Sequence, residues 1–257
     1  MITTVYKRNI VKVRQIWFSE DYISVSGGAD INFYHGMQSV KENCVGVETK
    51  SVIVNLQKTE DELYRDVSKT SRNQINRCQK EKIVTEVFDS KTLSISDQLI
   101  EFFRQCYESM YASKGMVSHY NADLINAYIR SNAVQISSVR TNEEFQIFHF
   151  YLSDNYHTLL LYSCSDFRQH KEDRNFAARV NKYLHWQDYL YFKEHGIKEY
   201  NWGGIYSFDN PNGIDEFKLS LCNDDDTKVI NYSVIEPCTL LGRVVIEYVK
   251  RKKNFFD

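Results

Sequence analysis

The residues best suited to chemistry fall between positions 161 and 218 of this 257-residue chain. Arg168, Lys171 and Arg174 crowd the approach to a helical run that begins near Asn175. Free N–H groups and the positive dipole end make such a helix start a phosphate site. The segment SCSDFRQHKEDRNFAARV contains no glycine, unlike Walker and Rossmann loops, so nucleoside triphosphates and dinucleotides gain no support. A phosphate-bearing donor and a plain charged surface loop are the two readings that stay open. Beyond a short strand, Trp202-Gly203-Gly204-Ile205-Tyr206 removes two side chains where a ligand can pass closely, or where the chain merely turns. GIDEFKL then sets Asp215, Glu216 and Lys218 at a helix start, with Phe217 and Leu219 as packing residues. Lys218 reads as a solvated helix lysine unless it is aimed into a cleft.

Two further groups could meet a substrate. Lys69, Arg72, Arg77 and Lys80 lie beside the apolar stripe of an earlier helix, either as a solvated basic face or with Arg72 or Arg77 reaching an anionic substrate. Tyr107, Tyr111, Lys114, His119 and Tyr120 combine rings that stack on a base with a lysine that meets a diphosphate, and read equally as a core helix with amphipathic tyrosines. Other chemistries are weakly supported. The seven histidines include neither HExxH nor an i, i+4 pair, so no metal is expected. There is no GxSxG elbow, and His149 or His157, alone on a strand, reads as a satisfied core histidine.

These residues need a scaffold, and hydrophobic periodicity supplies one. Strand-like runs cover Ile10 to Phe18, Tyr22 to Val25 and Ser51 to Leu56, with turns at Gly27-Gly28 and around Gly36. Thr59 and Glu62 form a capping-box pair ahead of a helix with Tyr64, Val67, Ser71, Ile75 and Cys78 on one face. A strand at Ile83 to Phe88 precedes helical text from Ser96 to Arg130, broken at Gly115. Next come VQISSVR and the pair EFQIFHFYLS and YHTLLLYSCS, joined at Asp154-Asn155. A long helix from Asn175 buries Phe176, Val180, Tyr183, Leu184, Leu190 and Tyr191 and stops at Gly196. IKEYNW and DTKVINYSVIE are the last strands. The order predicts an α/β (α+β) fold with a strand, helix, strand crossover, whose ligands gather at the carboxyl ends of the strands.

With 42% hydrophobic residues the chain can bury a large core. Two prolines and ten glycines leave no linker-like run, so two domains would be tightly joined. Cys44, Cys78, Cys106, Cys164, Cys222 and Cys238 form no CxxC pair and suit a reducing cytoplasm as buried small hydrophobes. Lys7, Arg8, Lys12 and Arg14 interrupt the N-terminal apolar text, so neither a signal peptide nor membrane insertion is expected. A net charge of -2 and a pI near 6.4 give no global field for nucleic acid. The basic VKRKKNFFD is read as a solvated helix end.

The segments TSRNQINRCQKEKIVTEVF, YESMYASKGM, RVNKYLHWQDYLYFKEHGIKEYNWGG and NGIDEFKLSL resemble, in that order, the FemAB-like branch of the GNAT acyltransferase superfamily, over roughly Leu56 to Glu236. KEHGIKEYNWGG followed by DEFKLSL is the most specific portion. The resemblance implies two fused GNAT-like domains, the first degenerate, each a mixed and mostly antiparallel sheet flanked by helices. We place them at 1–92 and 93–257, with the acyl-donor site in the second. It implies transfer of an acyl or aminoacyl group to an amine. The pantetheine arm of an acyl-CoA would lie along Leu161, Tyr162, Ser163 and Cys164. Its pyrophosphate would lie at Arg174, Asn175, Phe176 and Ala177, near Arg168 and Lys171. Phe217 and Lys218 match the family's FK pair, which makes Lys218 the candidate polar contact at the transferred group. Asn201 stands where the family commonly has aspartate and is given no role as a base.

Fem peptidyltransferases take an amino acid from aminoacyl-tRNA to a cell-wall precursor, and many insert a helical hairpin for which this chain has no room. Size and charge therefore favour an acyl-CoA donor and the amino group of a nucleotide-linked sugar in surface-polysaccharide synthesis. A deoxythymidine diphosphate-linked 3-amino-3,6-dideoxyhexose is the expected acceptor class, with Arg72, Arg77, Tyr107, Tyr111, Lys114, His119, Tyr120, Trp202, Gly203, Gly204 and Phe217 on its side. Positioning would supply most of the rate, with an N–H near Ser163 at the oxyanion. Asp215 or a water would act as base, and Tyr206 would protonate the leaving thiolate. A Fem-like aminoacyl-tRNA transferase and a GNAT-like binding subunit without turnover are the alternatives.

Overall fold

A computed structural model describes residues 1–23, 27–141, 145–165, 174–223 and 227–252. By its contacts the chain forms two compact units, one of Met1–Ser51, Asn121–Ala133 and Lys228–Asp257, the other of Val52–Tyr120 and Val134–Thr227. Each carries mixed, mostly antiparallel strands with helices packed on them, and the described residues form seven α-helices in all.

In the first unit, β1 (Ile2–Arg8) and β2 (Val11–Trp17) form an antiparallel hairpin. Alternating burial along β1 explains why it forms, although the sequence reading had passed over it. β3 (Ile31–Met37) runs parallel to β2 and antiparallel to β10 (Thr227–Pro237), which returns from near the C-terminus. Gly36, expected in a turn, lies inside β3 at φ +84°. Tyr22 and Ile23 are not in a strand, and Ser24 and Val25 lie outside the described residues. α4 (Ala122–Arg130) packs against β1, and α7 (Leu240–Lys252) buries Ile246 with Ile31 and Ile235. β4 (Val45–Asn55) passes from the first unit to the second at Ser51/Val52.

The second unit holds β9 (Glu199–Gly204), β8 (His157–Ser165), β7 (Phe145–Ser153), β6 (Val134–Thr141) and β5 (Thr85–Asp89) in that order, beside the end of β4. β5 through β8 pair antiparallel, as the Asp154-Asn155 turn predicts for β7 and β8, while β8 and β9 pair parallel. The parallel pair is joined by α5 (Arg174–Glu194), which is the expected crossover. The helix expected after Thr59 is two helices. α1 (Glu60–Asp66) begins with the predicted capping box, and α2 (Lys69–Lys80) restarts at the Ser68 cap after an extended Val67. α3 (Asp97–Ala112) buries Leu99, Phe103, Cys106 and Tyr107, and α6 (Gly213–Leu219) follows β9.

The main core of this unit includes Trp186, Tyr189, Phe192, Tyr200 and Trp202, each at most 2% exposed. Burial of one such side chain contributes about 1.5–3 kcal/mol. The boundary expected between positions 92 and 93 falls within this second unit, which takes in Val52–Tyr120, whereas β10 and α7 join the N-terminal strands. That long-range pairing has no local sequence signal.

Candidate functional site

The site is built where β8 and β9 part. Their parallel pairing covers three residue pairs, His157/Glu199 to Leu159/Asn201, whereas β8 stays paired with β7 as far as Ser165/Ile147. A bulge in β8 leaves Leu161 as the extra residue between Leu160 and Tyr162. The chain thus leaves β9 over Leu161, Tyr162, Ser163 and Cys164, where the sequence reading placed the pantetheine arm of a donor. Gly203 marks the last close approach. It sits at φ +69°, and a Cβ there would stand 2.8 Å from the Leu160 carbonyl oxygen. Only glycine meets both demands. The Gly203 N–H donates to Asn201 Oδ1 at 2.8 Å, so the Asn201 amide acts as a turn brace.

Lys218 closes this corner. Its ammonium donates to the Gly204 carbonyl at 2.6 Å, from a half-buried place on α6. Burial pulls its pKa below the ordinary lysine value, and the Asp215 carboxylate partly opposes that shift. Asp215 itself is 1% exposed, and its carboxylate accepts from the N–H groups of Tyr206, Ser207 and Asn212 at 3.0, 3.2 and 3.2 Å. This is the geometry of a loop brace rather than of an open base. Tyr206 has a 77% exposed side chain above that loop. Phe217 packs its ring 5.6 Å from the His185 ring and 5.8 Å from the Lys182 ammonium, whose pKa burial also lowers.

Beside Phe217 lies a buried polar network that the sequence reading missed. His149, Tyr151, His185, Asp188 and Tyr200 are each at most 1% exposed. Tyr151 donates to Asp188 at 2.6 Å, and a His149–Asp188 hydrogen bond spans 2.7 Å. The Tyr151 and Tyr200 hydroxyls are 2.9 Å apart, and the Tyr200 hydroxyl lies 3.2 Å from His185 Nδ1. Burial, then the neighbouring acidic or phenolic groups, raises both tyrosines well above their ordinary pKa. Burial first, then His149 and Lys218, holds His185 well below its ordinary value. Asn181, His185 and Asp188 sit at i, i+4 and i+7 on α5, and that spacing was the available signal. Their partners on β7 and β9 have no local one.

His149, His185 and Asp188 are the one trio among the described residues whose donor atoms lie within 4.8 Å of one another. The two imidazoles, however, stack at 3.8 Å and 19°. Stacking sets their lone pairs side by side rather than converging, and both nitrogens of His149 are already hydrogen-bonded, to Asp188 and Asn181. In this structure the trio forms a hydrogen-bonded network.

Several expected contacts lie elsewhere. The Arg72 guanidinium donates to the Arg65 and Val67 carbonyls at 2.7 and 2.8 Å, capping the end of α1. Arg77 pairs with Glu81 at 2.8 Å, and Glu81 also takes Arg179 at 2.7 Å. Trp202 is fully buried and donates to the Tyr189 hydroxyl at 2.8 Å, so it serves the core. Tyr107, Tyr111, His119, Tyr120 and Lys114 do gather, through Tyr107–Tyr111, Tyr107–Tyr120, Tyr111–His119 and Lys114–Tyr111 contacts. They join Phe103, Phe148, Phe150 and Tyr162. Phe148 and Phe150 alternate along β7 with His149 and Tyr151, so this aromatic wall lies on the sheet face opposite the Lys218 corner.

At the α5 start, Asn175 is exposed, Phe176 half-buried beneath Arg179, and Ala177 buried in the core. Arg168 and Lys171 lie outside the described residues, and of Arg174 only the backbone is described. Cys78, Cys106, Cys164 and Cys222 are buried as expected, whereas Cys44 is half-buried and Cys238 exposed. No described helix is long and apolar enough to cross a membrane.

Solved structures share the fold. The C-terminal domain of a candidate lysylphosphatidylglycerol synthetase from Agrobacterium fabrum matches 85% of this chain and 71% of its own, with a TM-score of 0.55 at 9% identity. FemX matches 78% of this chain with a TM-score of 0.55 at 13% identity, and the chain spans 64% of FemX. L-PGS from Bacillus licheniformis matches 86% of this chain and 72% of its own, with a TM-score of 0.50 at 12% identity. No family model and no curated protein matches the sequence.

Proposed function

We propose that the chain is an N-acyltransferase that moves an acyl group from an activated ester or thioester to an amine at the Lys218 corner. The observation that carries this reading is the Lys218 ammonium on the Gly204 carbonyl, 2.6 Å apart, next to the point where β8 and β9 part. A half-buried cation there offers stabilisation to charge developing on the carbonyl or leaving group, and fixed geometry supplies the remainder. The donor in this reading is an acyl-CoA, its pantetheine arm along Leu161 to Cys164 and its pyrophosphate at the α5 start. The open strand and the exposed Asn175 at the α5 start suit it. The acceptor is the amino group of a nucleotide-linked sugar, of the deoxythymidine diphosphate 3-amino-3,6-dideoxyhexose class. The amine arrives neutral and attacks the carbonyl.

A second reading draws on names within the shared fold. A lysylphosphatidylglycerol synthetase, by its name, makes an aminoacylated phospholipid, so an aminoacyl ester is the competing donor class. One set of incubations separates the two. The purified chain is given acyl-CoAs with amino-sugar nucleotides, and separately aminoacyl-tRNAs with the same acceptors and with phosphatidylglycerol vesicles. Free CoA with a matching gain of acyl mass on the sugar supports the first reading, and transfer from charged tRNA alone replaces it. Absence of product with every donor rejects acyl transfer and leaves a binding subunit.

A further inference from the structure

His185 has a tautomer fixed by its neighbours, and that tautomer leaves a lone pair on one nitrogen. A carboxylate can only accept hydrogen bonds, so Tyr151 must donate to Asp188, at 2.6 Å. The Tyr151 oxygen then accepts from the Tyr200 hydroxyl at 2.9 Å, and the Tyr200 oxygen accepts from His185 Nδ1 at 3.2 Å. Nδ1 therefore carries the hydrogen, and a neutral ring holds its lone pair on Nε2. Among the described residues no donor reaches that atom. Besides the stacked His149, the His185 ring contacts Trp202 at 4.5 Å and Phe217 at 5.6 Å, and these residues flank the Gly203-Gly204 turn and Lys218.

We propose that His185 Nε2 is the proton acceptor of the transfer site, reaching the attacking amine through one bound water. This rests on the acyl-transfer reading above. As the C–N bond forms, the proton of the attacking nitrogen passes through the water to Nε2. The C–S or C–O bond of the donor then breaks with its electron pair on the leaving atom, which takes that proton back from the imidazolium. Atoms and charge balance without a further reactant. Tyr200, Tyr151 and Asp188 act as positioning residues, because their chain of donors points at the carboxylate and stabilises a positive ring. The ionisable groups around His185 are His149 and Tyr151 on β7, Tyr200 on β9, Asp188 and Lys182 on α5, Lys218 on α6 and Cys222 just beyond it. Lys218 and the stacked His149 both favour a neutral His185, which keeps the lone pair available at pH 7.

The test has two arms. Nitrogen NMR of the histidine-labelled full chain should show His185 neutral and protonated at Nδ1 at pH 7, and a proton on Nε2 overturns the inference. With the donor and acceptor that prove active, His185→Gln should lower kcat about 100-fold, leave KM within about threefold and remove the acidic limb of the pH profile. Tyr200→Phe should give a smaller loss of kcat with an altered acidic limb, and guards against a His185 variant that fails to fold. A wild-type kcat and pH profile in either variant overturns the inference. A wild-type chain that transfers nothing, with the Nδ1–H tautomer in place, instead rejects the acyl-transfer reading and the base role with it.

Discussion

The ammonium of Lys218 donates to the carbonyl oxygen of Gly204 at 2.6 Å, tying α6 to the end of β9. A single side chain therefore both braces the corner and holds its cation there. Replacement by methionine keeps most of the stem and removes the charge. Lys218→Met should lower kcat about 100-fold, as loss of one preorganised electrostatic group does, while the urea midpoint falls by less than the equivalent of about 1 kcal/mol. A comparable loss of stability and activity would make Lys218 a structural residue only.

Asp215→Ala is expected to act through folding. It would leave the N–H groups of Tyr206, Ser207 and Asn212 without their shared acceptor, in a place where Asp215 is 1% exposed. Urea denaturation should show a loss of about 3 kcal/mol. A wild-type midpoint would show that the loop holds without its brace.

Gly203→Ala meets two obstacles at once, the φ of +69° and the Leu160 carbonyl 2.8 Å from the new Cβ. We expect at least about 2 kcal/mol of destabilisation in the same assay. Gly204→Ala meets no atom within 4 Å and has no positive φ, and should be nearly neutral. Equal effects of the two would contradict the strand geometry.

Stability should fall below pH 6.5. Burial pulls His35 down to about 3, beneath the stacked Trp17 ring at 3.5 Å, and His185 is lowered as well. A histidine whose folded pKa lies below its unfolded value contributes stability fully above the unfolded value, and loses it as the pH falls toward the folded one. For His35 the loss at pH 5.5 is about 1 kcal/mol. His35→Gln should flatten the pH dependence of the urea midpoint between pH 7.5 and 5.5. An unchanged slope would show that His35 titrates alike in both states.

Sequence patterns revealed the local parts of this molecule. Thr59 and Glu62 announced the capping box, Gly196 the end of α5, and Asp154-Asn155 the β7–β8 hairpin. Lys218 was marked by the resemblance of the Phe217-Lys218 pair, since its local text reads as a solvated helix lysine, and its bond to Gly204 had no signal of its own. What stayed hidden was non-local. His149 looked like an isolated core residue because Asp188 lies 39 positions away, and Tyr151 meets Tyr200 across 49. The reach of Arg72 was misjudged for another reason: a break after Val67 exposes carbonyls that the guanidinium then caps. The discontinuous first unit is equally non-local, since β10 pairs with β3 across most of the chain.

The most direct test is mass analysis of the amine acceptor after incubation of an acyl-CoA panel with wild-type chain and with Lys218→Met. Acyl transfer at the Lys218 corner predicts one acyl group gained per acceptor, released CoA in equal amount, and about a 100-fold slower gain with the variant. Product formed at the same rate by both proteins, or by neither, would contradict it.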